Sequence, residues 1–426
     1  MFRFIHAADL HLDSPFKGLK ETNQTIGDRL RRATFNAYTT LIDLCIEKEV
    51  DCLVVAGDVF DGADKSLEGQ LRFVDGLKRL EQHDIRVFIC HGNHDPLDSW
   101  RARLSFPDNV HRFMSDTECV KIADDGVPPY AVCGISYPTQ EVKRSLLGTF
   151  PKRDWPEFTI GLLHASVGAA DGHQSYAPCS VKELTRLGYD YWALGHVHTR
   201  EILQDSDPWI GYPGNSQGRS PRETGARGVY VVEVGDNKQI KTDFVPVHAV
   251  RWEQRDVSID GLETVEQLDE RIHASVDEIS EEAGDRSVVY RIHLVGRGRV
   301  HHNLATPDSA QELARRLNDE GRDDHEPFLW CAGIKTTTAS EINLDQLRKG
   351  NDAVGDFLKL KEEFAQDTTL PEQLEPELSK LFKARIAKPH LQELEGALLN
   401  DAQTLLKKAE ITALDLLVEE DPDLAS

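Results

Sequence analysis

Apolar runs of strand length in the first half of the chain repeatedly break straight into short polar signatures, and this punctuation constrains the fold more than any other feature. Phe2 to Ala8 runs into Asp9-Leu-His11, Cys52 to Ala56 into Gly57-Asp58, and Arg86 to Cys90 leads to Gly92-Asn93-His94-Asp95. Phe158 to Leu163 ends at His164, and Tyr191 to Leu194 ends at Gly195-His196-Val-His198. Helical patterns separate the early runs. Arg31 to Glu49 places Ala37, Leu41, Leu44 and Cys45 on one face, and Ser66 to Gln82 spaces Leu67, Leu71, Val74 and Leu77 at helical intervals. This alternation predicts an α/β domain with a layered sheet. Residues leaving the carboxyl ends of neighbouring strands then share one crevice, where groups distant in sequence meet.

With Gly228 to Val234 as a further strand, the first domain is expected over 1–250. From Val250 the order becomes strand, helix, strand, helix, strand, with Val288 to Val295 and Phe328 to Ile334 as the later strands, which predicts a small α+β accessory domain over 251–343. Residues 344–426 read as a helical C-terminal region interrupted by Pro371, Pro376 and Pro389, with Leu391, Leu394, Leu398, Leu405 and Leu406 forming an apolar face. A length of 426 residues accommodates such a division at roughly 150 residues per domain.

The site chemistry follows from the residue types. The signatures combine carboxylates, an amide and imidazoles without a thiolate, a donor set suited to manganese, iron or zinc held through nitrogen and oxygen. Taken singly, an Asp-x-His at a strand end is a turn or a cap, and a Gly-Asn-His-Asp is a hydrogen-bonded loop. Taken together, so many ionisable groups in one crevice would be costly to bury without an ion.

The ordered set resembles the calcineurin-like metallophosphoesterases. The fuller wording, His6-Ala-Ala-Asp-Leu-His-Leu-Asp-Ser-Pro-Phe16 with Gly57-Asp-Val-Phe-Asp61 and Cys90-His-Gly-Asn-His-Asp-Pro96, resembles the YhaO-like DNA repair exonucleases related to the SbcD nuclease subunit. Protein serine/threonine phosphatases of the same superfamily carry an Arg where Gly62 stands, which argues against that branch. The resemblance implies a layered β-sandwich core flanked by helices, with a capping domain that binds DNA. It implies two divalent metal ions, manganese first, with iron or zinc as alternatives. Asp9, His11, Asp58 and His198 would hold one ion and Asp58, Asn93, His164 and His196 the other, with a shared water activated between them. His94 would serve the leaving oxygen, and Asp61 would orient His94. The implied reaction is hydrolysis of DNA phosphodiesters in repair, by an exonuclease that also cleaves particular DNA structures. The implied partners are DNA and an SMC-like coiled-coil ATPase, and related nucleases form homodimers.

Two other functional classes stay open at this point. The metals recognise phosphate rather than the rest of a substrate, so a phosphodiesterase for a small nucleotide or lipid-linked substrate fits the same ligands. A scaffold subunit of an ATPase complex is the non-enzymatic alternative, and the intact ligand set counts against it. Arg219 and Arg222, in the loop after Tyr212, are candidate phosphate contacts and equally solvated charges; His173 is either a residue at the substrate entry or a surface histidine. His6 and His91 read as core histidines. Arg291, Arg297 and Arg299 form either a DNA-backbone contact or a solvated strand edge.

Charge and cysteine content narrow the rest. With Lys plus Arg at 49 and Asp plus Glu at 73, the net charge of −24 argues against gripping nucleic acid by bulk charge, though a local cluster of cations or bound metal ions can dominate the field inside one cleft. The seven scattered cysteines suggest reduced thiols. No apolar stretch reaches membrane-span length and the start lacks a signal-peptide core, so the expectation is a cytoplasmic protein with no membrane partner.

Overall fold

The computed structural model describes residues 1–14, 24–61, 66–99, 105–123, 127–168, 176–306, 308–319, 327–341 and 355–359. The elements run β1 (Phe2–Ala7), α1 (Gln24–Glu47), β2 (Cys52–Ala56), α2 (Leu67–Glu81), β3 (Arg86–Cys90), β4 (Val110–Arg112), β5 (Glu118–Ile122), β6 (Tyr130–Gly134) and β7 (Phe158–His164). They continue with α3 (Val181–Arg186), β8 (Tyr191–Gly195), β9 (Glu201–Asp205), β10 (Trp209–Tyr212), β11 (Gly228–Val234) and β12 (Ile240–Pro246). After these come β13 (Val250–Ser258), α4 (Val265–Ala283), β14 (Ser287–Arg297), α5 (His301–Leu304), α6 (Ser309–Asp319) and β15 (Leu329–Ala339).

Two six-stranded sheets form the main body, in the orders β12-β11-β1-β2-β3-β4 and β5-β6-β7-β8-β10-β9. Within the first, β1, β2, β3 and β4 are parallel; within the second, β6, β7, β8 and β10 are parallel. Strand alternation assigns each side chain to a layer. Phe4, Val54, Ala56, Phe88 and Cys90 face the second sheet, where they meet Ile160, Leu162, Tyr191 and Ala193. The intervening Ile5, Leu53, Val55, Val87 and Ile89 face α1 and α2 instead. On β7 and β8, Leu163, Trp192 and Leu194 belong to a third apolar layer behind the second sheet. The expected layered sandwich is therefore produced by period-two burial on both sides of each sheet.

Sequence periodicity set the strands well and the helices less so. The first helix starts at Gln24, ahead of the expected Arg31, and packs Ile26, Leu30 and Ala33 with Trp252, Val289, Phe328 and Trp330. On α2 the buried face is Phe73, Val74, Gly76, Leu77 and Leu80, whereas Leu67 and Leu71 are exposed. Both leucines satisfy the spacing, but Gly69, Phe73 and Gly76 present a flatter surface to α1, with Tyr38 donating to the Phe73 carbonyl at 2.8 Å.

The expectation of wholly reduced cysteines is corrected. Cys119 and Cys133 face one another across the antiparallel β5–β6 pair, with Cα atoms 4.0 Å apart, and are joined by a disulfide. The spacing in sequence carried no sign of it, because the pair is made by strand register.

The chain divides into two compact units, one comprising Met1–Gln254, Ile279–Arg291 and Leu317–Ala332, the other Arg255–Glu278, Ile292–Arg316 and Gly333–Ser426. Strands β13, β14 and β15 make a three-stranded sheet. The leucines expected on a C-terminal apolar face, Leu391 to Leu406, lie outside the described residues, as does almost all of 344–426. Among the described residues no helix is long and apolar enough to cross a membrane.

The disulfide gives a direct expectation. Thiol labelling of the unfolded, unreduced protein should modify the five free cysteines, and prior reduction should raise the count to seven, as read by mass spectrometry. Seven labelled thiols without reductant would contradict the cross-strand bond.

Candidate metal centre

The loops leaving the parallel strands brace one another before any side chain reaches the centre. The N–H groups of Asp9, His11 and Leu12 donate to the carbonyls of Gly57, Asp58 and Val59 at 3.1, 3.0 and 2.9 Å, binding the loop after β1 to the loop after β2. The buried Asp95 carboxylate accepts from the N–H of Val59 at 2.9 Å and of Gly92 at 2.8 Å, and His91 Nδ1 lies 3.2 Å from it. Asp95 thereby locks the loop after β3 onto the loop after β2, a structural role that its place within Gly92-Asn93-His94-Asp95 did not announce.

Backbone conformation aims the side chains inward. Asp9, His11, Asp58 and His196 have φ of 49°, 42°, 51° and 102°, a left-handed conformation that costs non-glycine residues of order 1 kcal/mol or more and persists where surrounding structure enforces it. Two glycines permit the close approach. A Cβ at Gly92 would lie 2.3 Å from Asp58 Oδ1, and one at Gly195 would lie 1.7 Å from the Ala56 carbonyl oxygen. The two sheets meet at this point, where His164 Nδ1 donates to the Ala56 carbonyl at 2.9 Å.

Nitrogen and oxygen ligand atoms converge in the middle. Because the Ala56 carbonyl can only accept, His164 Nδ1 carries a proton, and its Nε2 faces Asn93 Oδ1 at 3.0 Å and Asp58 Oδ2 at 3.4 Å. His196 Nδ1 lies 3.2 Å from the same Asn93 oxygen. On the other side, Nε2 of His11 and Nε2 of His198 are 3.2 Å apart. Asp9 Oδ1 is 4.0 Å from the first and 3.9 Å from the second, and Asp58 Oδ2 is 3.8 Å from His11 Nε2. The sets Asp9, His11, His198 and Asp9, Asp58, His164 each hold ligand atoms within 4.8 Å of one another. Asp9, His11, Asp58, Asn93 and His164 are buried. Nitrogen and oxygen ligand atoms that converge in a buried pocket, with more acceptors than backbone donors to serve them, are what a divalent cation satisfies, so these residues fit such an ion.

The electrostatics agree. Burial pushes the His164 imidazole down, but the Asp58 carboxylate outweighs it and carries the group up to about 9, so the site favours a positive charge there. Burial raises Asp58, yet His164 more than compensates and holds this carboxyl well below the usual range. His196 is lowered to about 3, first by burial and then by the neighbouring His164, which leaves its ring neutral and ready to coordinate.

His94 and Asp61 stand beside this cluster. His94 Nδ1 is 2.7 Å from Asp61 Oδ1, and its ring packs edge-on to His11 with centroids 5.0 Å apart. The hydrogen bond that His94 donates to Asp61 raises the His94 pKa, and the same bond holds the Asp61 carboxyl well below its usual range. Asp61 Oδ2 accepts from Ser14 Oγ and Arg219 Nη1, both at 2.8 Å. Arg219 is thus engaged with a carboxylate, whereas Arg222 is exposed. His173 lies outside the described residues.

Several bland readings match the geometry. His6 is buried, its Nδ1 3.0 Å from the Tyr191 hydroxyl and its Nε2 3.1 Å from the Leu194 carbonyl, a satisfied core histidine. Arg299 pairs with Glu263 at 2.7 Å and Glu341 at 2.9 Å, and the Arg297 side chain donates to the Ser340 carbonyl at 3.0 Å, so both charges are engaged within the protein; Arg291 is exposed. Sequence reading missed Glu223, whose Oε1 is 2.7 Å from His198 Nδ1.

Comparison with known proteins then decides the family. The calcineurin-like phosphoesterase model matches residues 2–200, and the model for the middle domain of metallophosphoesterase YhaO matches residues 252–339. The uncharacterized metallophosphoesterase YhaO of Bacillus subtilis (strain 168) is 32% identical over 345 residues, covering 81% of this chain and 84% of that protein. This chain is a calcineurin-like metallophosphoesterase. The metallophosphoesterase also resembles the DNA double-strand break repair protein Mre11 of Saccharolobus solfataricus, 25% identical over 223 residues, 50% of this chain and 54% of that protein. The Mre11 of Aeropyrum pernix is 26% identical over 270 residues, 58% of this chain and 61% of that protein. Membership makes the protein a metal-dependent phosphoesterase.

Gly92→Ala tests the close packing behind the centre. The methyl group displaces the Asp58 carboxylate, and the expected result is a loss of about 1–3 kcal/mol in urea unfolding together with weakened divalent-ion binding in calorimetry. Unchanged stability and affinity would show that the loop yields at no cost.

Proposed function

We propose that the protein is a manganese-dependent phosphodiesterase that hydrolyses DNA from an end, acting in repair. The observation that carries this reading is the joint presence of the converged donor cluster and the adjoining His94–Asp61 pair, on a chain whose relatives include DNA double-strand break repair proteins. Asp9, His11, Asp58 and His198 would hold one ion, and Asp58, Asn93, His164 and His196 the other. Two bound ions supply Lewis acidity, charge neutralisation at the phosphate and a water of lowered pKa.

The chain's own residues perform the rest. Asp61 fixes the His94 ring by binding Nδ1, which leaves Nε2 as the nitrogen that serves the leaving oxygen. A proton delivered from Nε2 to a departing sugar alkoxide contributes about 10²- to 10⁴-fold. Arg222, exposed on the loop after β10, meets a backbone phosphate, while Arg219 is committed to Asp61. Residues 1–250 act as the nuclease domain and 251–343 as the capping domain that selects the DNA end. An SMC-like coiled-coil ATPase is the proposed partner, in the cytoplasm.

Two measurements test this. Calorimetry with saturating manganese should give two ions per chain, and Asp58→Ala should weaken binding more than any other single ligand change; a wild-type stoichiometry of one or none would remove the two-ion assignment. On an end-labelled duplex with manganese, the wild type should release nucleotides from an end. His94→Gln should slow that reaction about 10²- to 10⁴-fold with both ions retained. On bis(p-nitrophenyl) phosphate, whose leaving group departs without a proton, the same substitution should cost less than about 10-fold. Equal slowing on both substrates would refute the leaving-group role, and no release from any duplex end would refute the DNA reading.

A further inference from the structure

His198 differs from the other histidines of the centre in how its outer nitrogen is held. The His164 ring is anchored by a backbone carbonyl supplied by its own sandwich, whereas His198 depends on a side chain from a loop. Its Nδ1 lies 2.7 Å from Glu223 Oε1, in the segment that follows β10. The other oxygen of the same carboxylate, Oε2, accepts from the Arg219 N–H at 2.6 Å, so both oxygens are occupied. A turn closed by the Glu223 N–H donating to the Ser220 carbonyl at 3.0 Å brings the residue round, and Gly218 makes room, since a Cβ there would lie 2.6 Å from the Glu223 carbonyl oxygen. The backbone of His198 is held separately, its carbonyl accepting from Arg227 and from the Asn215 N–H at 3.2 Å. Glu223 therefore acts on the ring rather than on the chain trace.

A carboxylate accepts and cannot donate when ionised, so its contact places the His198 proton on Nδ1. That leaves the Nε2 lone pair facing His11 Nε2 at 3.2 Å and Asp9 Oδ1 at 3.9 Å. Without Glu223 the ring could take the opposite tautomer, pointing an N–H at the other donors. Arg219 extends the arrangement. Its backbone holds Glu223 while its Nη1 reaches Asp61 at 2.8 Å and Ser14 Oγ at 2.9 Å, so one loop residue spans the Glu223–His198 pair and the Asp61–His94 pair.

We propose that Glu223 is a positioning residue that sets the tautomer and orientation of His198 for metal binding, with Arg219 tying this brace to the pair that serves the leaving group. The proposal rests on the two-ion reading above for its consequence, but the tautomer itself is a property of the metal-free chain. Carboxylate partners of this kind raise the basicity of a coordinating imidazole, and their loss costs about 10- to 100-fold in metal affinity.

The test joins two readouts. Nitrogen-15 NMR of the histidine rings in the metal-free wild type should show His198 as the Nδ1–H tautomer. Glu223→Ala should shift it toward Nε2–H, and Glu223→Gln, which keeps an accepting oxygen, should retain Nδ1–H. Titration with manganese should show one of two sites weakened about 10- to 100-fold in Glu223→Ala, the other within about 3-fold of wild type, and recovery of most of the loss in Glu223→Gln. An Nε2–H tautomer in the wild type would overturn the proposal even if Glu223→Ala failed to fold. So would equal weakening of both sites, or no weakening of either. A wild type that takes up no manganese would instead overturn the two-ion reading, and the tautomer would still decide the role of Glu223.

Discussion

The structure depends on one constraint: a buried carboxylate, Asp58, is surrounded by the imidazoles of neighbouring loops and has few fixed donors of its own. Its Oδ1 has a backbone donor, the His94 N–H at 2.9 Å, but its Oδ2 faces His164 Nε2 and His11 Nε2 at 3.4 and 3.8 Å. Taking such a charge out of water is expensive unless a counter-charge is supplied; in the metal-free chain the raised His164 imidazole supplies one, at a place that suits a cation. Much else follows from holding these acceptors together against their repulsion. The left-handed backbone at Asp9, His11 and Asp58, the glycines at 92 and 195, and the interlocked loops after β1, β2 and β3 all serve to keep the donors close.

The sandwich makes that confinement affordable. Parallel strands in both sheets end at the same edge, and the inter-sheet layer of Phe4, Val54, Phe88, Ile160 and Tyr191 fixes the distance between the two sets of ends. The Ala56 carbonyl accepting from His164 is the place where the two sheets touch at the centre, and only glycine at 195 tolerates it. The candidate metal centre is thereby built on strand ends, which are stiff, while the groups that touch its outer edge, Arg219 and Glu223, come from one loop. This division matches the different tolerances of the two jobs, since a ligand displaced by an ångström is lost and an orienting partner has more latitude.

The strongly acidic composition is consistent with a phosphate-handling protein once this centre is taken into account. The net charge of −24 is distributed over the whole chain, whereas the field that a phosphate meets is set by the charges nearest to it. Several arginines are already engaged: Arg299 by two glutamates, Arg219 by Asp61, and Arg153 by Asp190. Of the arginines that sequence reading offers as nucleic-acid contacts, Arg219 and Arg299 already hold acids and Arg297 holds the Ser340 carbonyl, whereas Arg222 and Arg291 are exposed.

Much of the fold and centre was legible in the sequence because it is local or periodic. Near-continuous burial on both faces marks β1, β2, β3, β7 and β8 as apolar runs, and a polar break at the end of each marks the edge where Asp9, Asp58, Asn93, His164, His196 and His198 gather. The residue types in those breaks already imply a cation bound through nitrogen and oxygen. Short strands such as β4 and β9 were not legible, because three to five half-exposed residues carry too little pattern. Tertiary structure alone decided the Cys119–Cys133 bond, the lock made by Asp95, and the pairing of Glu223 with His198 and of Arg219 with Asp61. The reason is physical: each of these depends on which side chains strand register and loop closure bring within about 3 Å, and sequence separation conveys nothing about that distance unless a periodic element spans it.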